Sequence, residues 1–112
     1  MLTIEGFRAA LAGNAPTEVP HDDSIKRAAV AAVLRPVATG VELLFIHRAE
    51  DPRDPWSGHM AFPGGRVDPG DRDSLAAAIR EAREEVRLDL EADGECLGQL
   101  DDVRAIGRGR PM

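Results

Sequence analysis

Residues 74–88 constrain this chain more than any other stretch, because they read as a helix whose charges are sorted by sign. On a wheel at ~100° per residue, Leu75, Ile79, Ala82 and Val86 form one narrow apolar stripe, the side that faces a core. Arg80, Arg83 and Arg87 gather in a second sector, and Glu81, Glu84 and Glu85 in a third. One reading is a solvated helix surface. Such a surface gains by mixing signs, since like charges at i,i+3 or i,i+4 cost ~0.2–0.5 kcal/mol per pair. Glu81 makes a like pair with Glu84 and another with Glu85, and late in a helix the macrodipole also disfavours carboxylates. Only Arg80 with Glu84 is a favourable spacing, so the cluster is locally unfavourable unless something cationic sits on it. The second reading is therefore a site for a metal cation, and the helix alone leaves both open.

The residues just upstream favour the cation. Gly64-Gly65 lets the backbone approach a ligand closely or take positive φ, which residues with side chains resist. The turn Asp68-Pro69-Gly70-Asp71 can then fold that strand back over the helix and present a backbone carbonyl to the same ion. Three oxygen donors with room for water suit a hard cation such as Mg²⁺ better than Zn²⁺, which takes His or Cys.

The rest of the chain organises around this unit. Residues 1–24 are expected to be an N-terminal helix and a polar linker: Ile4, Phe7 and Leu11 fall at helical spacing behind Thr3, a plausible N-cap. From residue 25 one domain is expected. Arg27 to Arg35 and Val41 to His47 read as a strand pair joined by a turn at Pro36-Val37-Ala38-Thr39-Gly40. A short strand at His59 to Phe62 follows, with a helix capped by Asp73 or Ser74 that runs to about Leu88 and one more strand at Glu95 to Val103.

With 14 Lys+Arg against 20 Asp+Glu, the 112 residues carry a formal charge of −6, which argues against a nucleic-acid coat. No apolar run is long enough for a membrane helix, and the N-terminus lacks the basic start of a secretory signal. The single cysteine, Cys96, fits a reducing cytoplasm. Oligomeric state is not legible.

Gly65-x5-Asp71-x8-Arg80-Glu81-Ala82-Arg83-Glu84-Glu85-Val86-Arg87-Leu88 resembles the Nudix box, Gly-x5-Glu-x7-Arg-Glu-aliphatic-x-Glu-Glu-x-Gly-aliphatic. It departs in Asp71 for Glu, one extra residue before Arg80, Ala82 at an aliphatic position and Arg87 for Gly. Leu43-Leu44-Phe45-Ile46-His47-Arg48-Ala49, Arg53, Gly58 and Phe62-Pro63-Gly64-Gly65 are similar to the upstream signature of the coenzyme A pyrophosphatase branch, with the gap from Arg53 to Gly58 one residue longer. The resemblance covers about residues 26–103. It implies an α+β fold of the α/β/α sandwich kind, a mixed β-sheet flanked by helices, with 25–112 as a Nudix hydrolase domain. Further strands and a closing helix would follow the box, so the chain is expected to be truncated at its C-terminus.

The resemblance also implies that Glu81, Glu84 and Glu85, with the Gly65 carbonyl, bind Mg²⁺ or Mn²⁺. Glu84, Glu85 and Arg80 would form the catalytic set, Arg80 orienting a glutamate by ion pairing. The reaction implied is hydrolysis of a small-molecule diphosphate by water, in coenzyme A or a derivative. The alternatives are another nucleoside diphosphate-linked substrate such as NADH, or a Nudix-fold binding module or inactive fragment without turnover. Arg48 and Arg53 are candidate substrate contacts, because guanidinium binds phosphate oxygens bidentately. His47 and His59 read as structural strand residues, Trp56 as a loop cover or a stacking ring, and Cys96 as a small strand hydrophobe.

Overall fold

Three stretches of chain, 28–37, 40–47 and 60–66, each pair with one neighbour at one end and with the other neighbour at the other end. In the computed structural model this produces short antiparallel ladders. The structure describes residues 1–20, 24–47, 52–53, 58–103, 106–107 and 110–111, the last two pairs by backbone alone.

Helix α1 (Ile4–Ala12) begins where expected, because the Thr3 hydroxyl accepts the Gly6 N–H at 3.0 Å. Strand β1 (Ala28–Val30) is separated by three residues from β2 (Leu34–Val37), and β3 (Gly40–Leu43) runs on towards β4 (Ile46–His47). β5 (Met60–Ala61) and β6 (Gly64–Arg66) flank the bend at Pro63. β2 pairs with β3, β4 with β5, and β1 with β6, in the registers Leu34↔Leu43, Ile46↔Ala61 and Ala29↔Gly65. The turn between β2 and β3 is only Ala38-Thr39, so Pro36, Val37 and Gly40 lie in the ladder instead of the loop expected from them. Pro36 is tolerated because it sits in a two-stranded ladder with a free edge.

Helix α2 (Ser74–Val86) is capped by Asp73, whose carboxylate accepts the Ala76 N–H at 2.8 Å. It packs on β1 and β6, and the closed interior is small-residue chemistry: Ala77, Ala78, Ala82, Pro63 and Gly64. This moves the buried stripe from the expected one. Leu75 is 48% exposed and Ile79 and Val86 are half-buried, because the helix lies so close to the glycine strand that only methyl groups fit between them. The helix ends at Arg87, held left-handed at φ 57, so its N–H turns back to the Ala82 and Arg83 carbonyls.

A short helix α3 (Leu90–Asp93), capped by Asp89, follows where nothing regular was expected. The strand expected over Glu95 to Val103 is absent, and the reason is local. Its polar groups bond instead to the N-terminal linker: Asp102 N–H to Thr17 O at 2.8 Å, Thr17 N–H to Asp101 Oδ1 at 2.8 Å and Val19 N–H to Asp102 Oδ2 at 3.0 Å. Arg27, just before β1, closes this clasp through Val19 O and Asp102 Oδ2, both at 3.2 Å. Cys96 is exposed on this irregular segment, not a strand hydrophobe. In the tail, expected as loop, β7 (Ile106–Gly107) and β8 (Arg110–Pro111) form a two-residue ladder.

The architecture is α+β, as the sequence suggests. Among the described residues every pairing is antiparallel, so the mixed sheet expected is represented by its antiparallel parts. Among the same residues no helix is long and apolar enough to cross a membrane.

Candidate functional site

The register of β1 with β6 fixes where the glycine strand turns its backbone. Val67 N–H bonds Arg27 O and Ala31 N–H bonds Pro63 O, so residue pairs summing to the same register alternate as hydrogen-bonded pairs, and Ala29 with Gly65 is one of them. Gly65 therefore directs its N–H and carbonyl into the ladder, while Gly64 and Arg66 direct theirs away from β1. Helix α2 meets those outward groups with side chains. Gly64 N–H donates to Glu85 Oε1 at 2.8 Å, and Arg66 O accepts from Arg80 Nη2 at 3.1 Å. No positive φ is used at either glycine. Of the two uses foreseen for Gly64-Gly65, close approach is the one realised. A Cβ on Gly65 would stand 2.6 Å from Glu81 Cδ, so the carboxylate of Glu81 occupies the space the missing side chain leaves.

Arg80 is the hub of the charges. Its Nε and Nη2 grip Asp71 at 3.0 and 2.9 Å in the bidentate manner that suits a planar fork. Its Nη1 donates to Glu81 Oε1 at 3.0 Å and to Glu84 Oε1 at 3.2 Å, and Asp68 lies 3.4 Å from Nη2. The side chain is about three-tenths exposed, yet four carboxylates surround it, and the hydrogen bonds to Asp71 first of all raise its pKa further above the ordinary range. The same bonds, then the Asp68 N–H, hold the Asp71 carboxyl below its usual value. The Asp68–Asp71 turn closes on itself through Asp71 N–H to Asp68 O at 2.9 Å, which sets Asp71 beneath the guanidinium.

Glu81, Glu84, Glu85, Gly65 and Arg80 are thus gathered at one place, where the outer edge of β6 meets α2. Arg80 joins Glu81 to Glu84, while Glu85 turns to Gly64. Among the described residues no three acidic, histidine or cysteine groups converge as a ready-made cation cage. The donor chemistry nevertheless fits a hard divalent ion: three carboxylates from one helix face, with only the Arg80 guanidinium now balancing Glu81 and Glu84. Arg48 and Trp56 lie outside the described residues. Arg53 is exposed, and His47 lies on β4 with Nε2 3.0 Å from Gly58 O. Asp71 and Asp68 were not foreseen as partners of Arg80. The signal was the Asp-Pro-Gly-Asp turn itself, which had been read only for its geometry.

The model of the NUDIX domain family matches residues 25–110. The chain belongs to the Nudix family. Its Nudix relatives include an uncharacterized Nudix hydrolase NudL of Cronobacter sakazakii, 50% identical over 78 residues, which are 68% of this chain and 40% of that protein. A NudL of Yersinia enterocolitica is 42% identical over 71 residues, 62% of this chain and 36% of its own. An uncharacterized protein of Schizosaccharomyces pombe is 38% identical over 68 residues, 60% of this chain and 21% of its own. The matched stretch thus spans about two fifths or less of each of these relatives. In this Nudix chain the family match takes in the glycine strand, the Asp68–Asp71 turn and all of α2.

Proposed function

We propose that this chain carries the catalytic helix of a divalent-metal-dependent pyrophosphohydrolase that cleaves a diphosphate linkage in coenzyme A or a coenzyme A derivative. The observation that carries the reading is the packing of the Glu81 and Glu85 carboxylates against Gly65 and Gly64, in a chain of the Nudix family. Glu81, Glu84 and Glu85 would hold the ion, Mg²⁺ or Mn²⁺. The Gly65 carbonyl would add its second lone pair, the first being engaged in the ladder. When bound, such an ion neutralises charge on the bridging oxygens and lowers the pKa of a coordinated water.

The chain's own residues do the positioning. Arg80, locked by Asp71, fixes the rotamers of Glu81 and Glu84, and the Gly64 N–H fixes Glu85. Glu84 and Glu85 are the carboxylates next to the reacting phosphorus, Glu84 being the more open of the two that Arg80 touches. Arg48 and Arg53 would contact substrate phosphates or the group attached to them. The substrate is a small molecule in the cytoplasm, in keeping with the acidic chain and its single cysteine.

The test is incubation of the chain with Mg²⁺ or Mn²⁺ and separate samples of coenzyme A, NADH and nucleoside triphosphates, with products weighed by mass spectrometry. Phosphopantetheine and adenosine 3′,5′-bisphosphate, lost in Glu85→Gln, are the expected products. Cleavage of NADH alone would move the substrate to another Nudix class. Products that persist in Glu85→Gln would remove the role given to α2.

A further inference from the structure

Extending the register Ile46↔Ala61 by one rung brings Phe45 opposite Phe62, and their rings stack with centroids 5.0 Å apart at 21°. By the alternation of strands, Phe45, His47, Met60 and Phe62 share one face, while Ile46 and Ala61 take the other. The second face is turned inward and half-buried. The first is open: Phe45 is 46% exposed and Met60 61%, and His47 is exposed. A stacked ring has two faces. Phe62 covers part of Phe45, and the remaining exposure leaves aromatic surface facing water.

We propose that this face, centred on Phe45, is a stacking platform for the nucleobase of a nucleoside diphosphate-linked substrate. This rests on the pyrophosphohydrolase reading above and names the part of the substrate that the carboxylates do not handle. Phe62 stands two residues before Gly64, whose N–H is bonded to Glu85. Two residues of chain span at most about 7 Å, so the platform is continuous with the edge where the diphosphate would lie. That separation is of the kind a ribose places between its base and its first phosphate. A flat occupant is favoured over an aliphatic one because the pair is near-parallel and offers a ring face. Met60 adds a soft, polarisable contact at the rim, and His47, tied to Gly58 O at 3.0 Å, adds a further flat ring.

The test is an NMR titration of the full chain in Mg²⁺ with adenosine 5′-diphosphate and, separately, with inorganic pyrophosphate, for the native sequence, Phe45→Leu and Phe45→Ala. Ring-current upfield shifts of adenine H2 and H8 are expected with the native chain. Phe45→Ala should weaken the diphosphonucleoside about 5- to 150-fold, the range for loss of one base–aromatic stack. Phe45→Leu, which keeps apolar bulk and guards against misfolding, should also lose the upfield shifts, while pyrophosphate affinity holds in both. Unchanged nucleotide affinity in either variant, with pyrophosphate still bound, overturns the platform and leaves the pyrophosphohydrolase reading standing. Failure of the native chain to bind either probe overturns both. A native dimer that Phe45→Leu dissociates in sedimentation would give the face to a second copy and overturn the proposal.

Discussion

Replacing each glycine of β6 by alanine separates what holds the fold from what shapes the site. At Gly65 the new Cβ would lie 2.6 Å from Glu81 Cδ and 2.7 and 2.9 Å from its two oxygens, against an ordinary contact of 3.4 Å or more. The obstacle is the far end of a flexible side chain, so the carboxylate moves by about 0.5–0.8 Å, the difference between those distances and 3.4 Å. The backbone stays in its ordinary region, so alanine also returns roughly 0.4–1 kcal/mol by restricting the unfolded chain. Loss of the Arg80–Glu81 contact offsets this by about 0.2–1 kcal/mol, since that pair is partly solvated. Gly65→Ala should therefore unfold in urea within about 1 kcal/mol of the native chain. Its Mn²⁺ affinity, read by electron paramagnetic resonance, should fall about 10- to 100-fold, the cost of disturbing a ligand's support. At Gly64 the Cβ would meet backbone, with Ala29 O at 2.3 Å and Val30 Cα at 2.6 Å. Backbone cannot swing aside, so Gly64→Ala should cost about 1–3 kcal/mol or more as overpacking. Equal destabilisation by the two substitutions, or unchanged Mn²⁺ affinity in Gly65→Ala, would refute the reasoning.

Arg87→Gly should raise the urea midpoint, by up to about 1 kcal/mol, because the left-handed conformation at φ 57 strains any residue with a Cβ; a lowered midpoint would show that the Arg87 side chain matters more than its backbone. Asp71 is held below its ordinary pKa by Arg80 and the Asp68 N–H, so its contribution to stability is complete above the unfolded value of about 4. That contribution is lost as pH falls through the lowered folded value, and Asp71→Asn should flatten the acid limb of stability between pH 5 and pH 2, as followed by urea unfolding. Asp102→Ala should cost about 1–2 kcal/mol, since a charged acceptor is removed from Val19 N–H and from Arg27. Faster hydrogen exchange at the Val19 amide would report it directly.

Periodicity and capping chemistry made both long helices legible, since Thr3 and Asp73 each mark a start with an oxygen the first turn needs. The gathering of Glu81, Glu84, Glu85 and Arg80 was legible too, because helix spacing alone sets their neighbourhood. Which helix face is buried was not. Hydrophobicity points to Leu75, Ile79 and Val86, but the partner is a glycine strand, and distance of approach selects Ala77, Ala78 and Ala82 instead. The segment from Glu95 to Val103 looked like a strand by composition. Its bonds go to residues 14–19, some eighty positions away, and no local pattern announces that. Asp71 was visible only as a departure from a family pattern, whereas its bidentate grip on Arg80 depends on the fold of the Asp68–Asp71 turn.

The central claim is that the acidic face of α2, pressed against Gly64-Gly65, is a divalent-cation site. Crystals of the chain grown with Mn²⁺ and measured at the manganese edge test it most directly. The expected result is anomalous density within coordination distance of carboxylate oxygens of Glu81, Glu84 and Glu85, with Arg80 drawn back towards Asp71. Density elsewhere, or none at saturating Mn²⁺ with Arg80 still bridging Glu81 and Glu84, would contradict it.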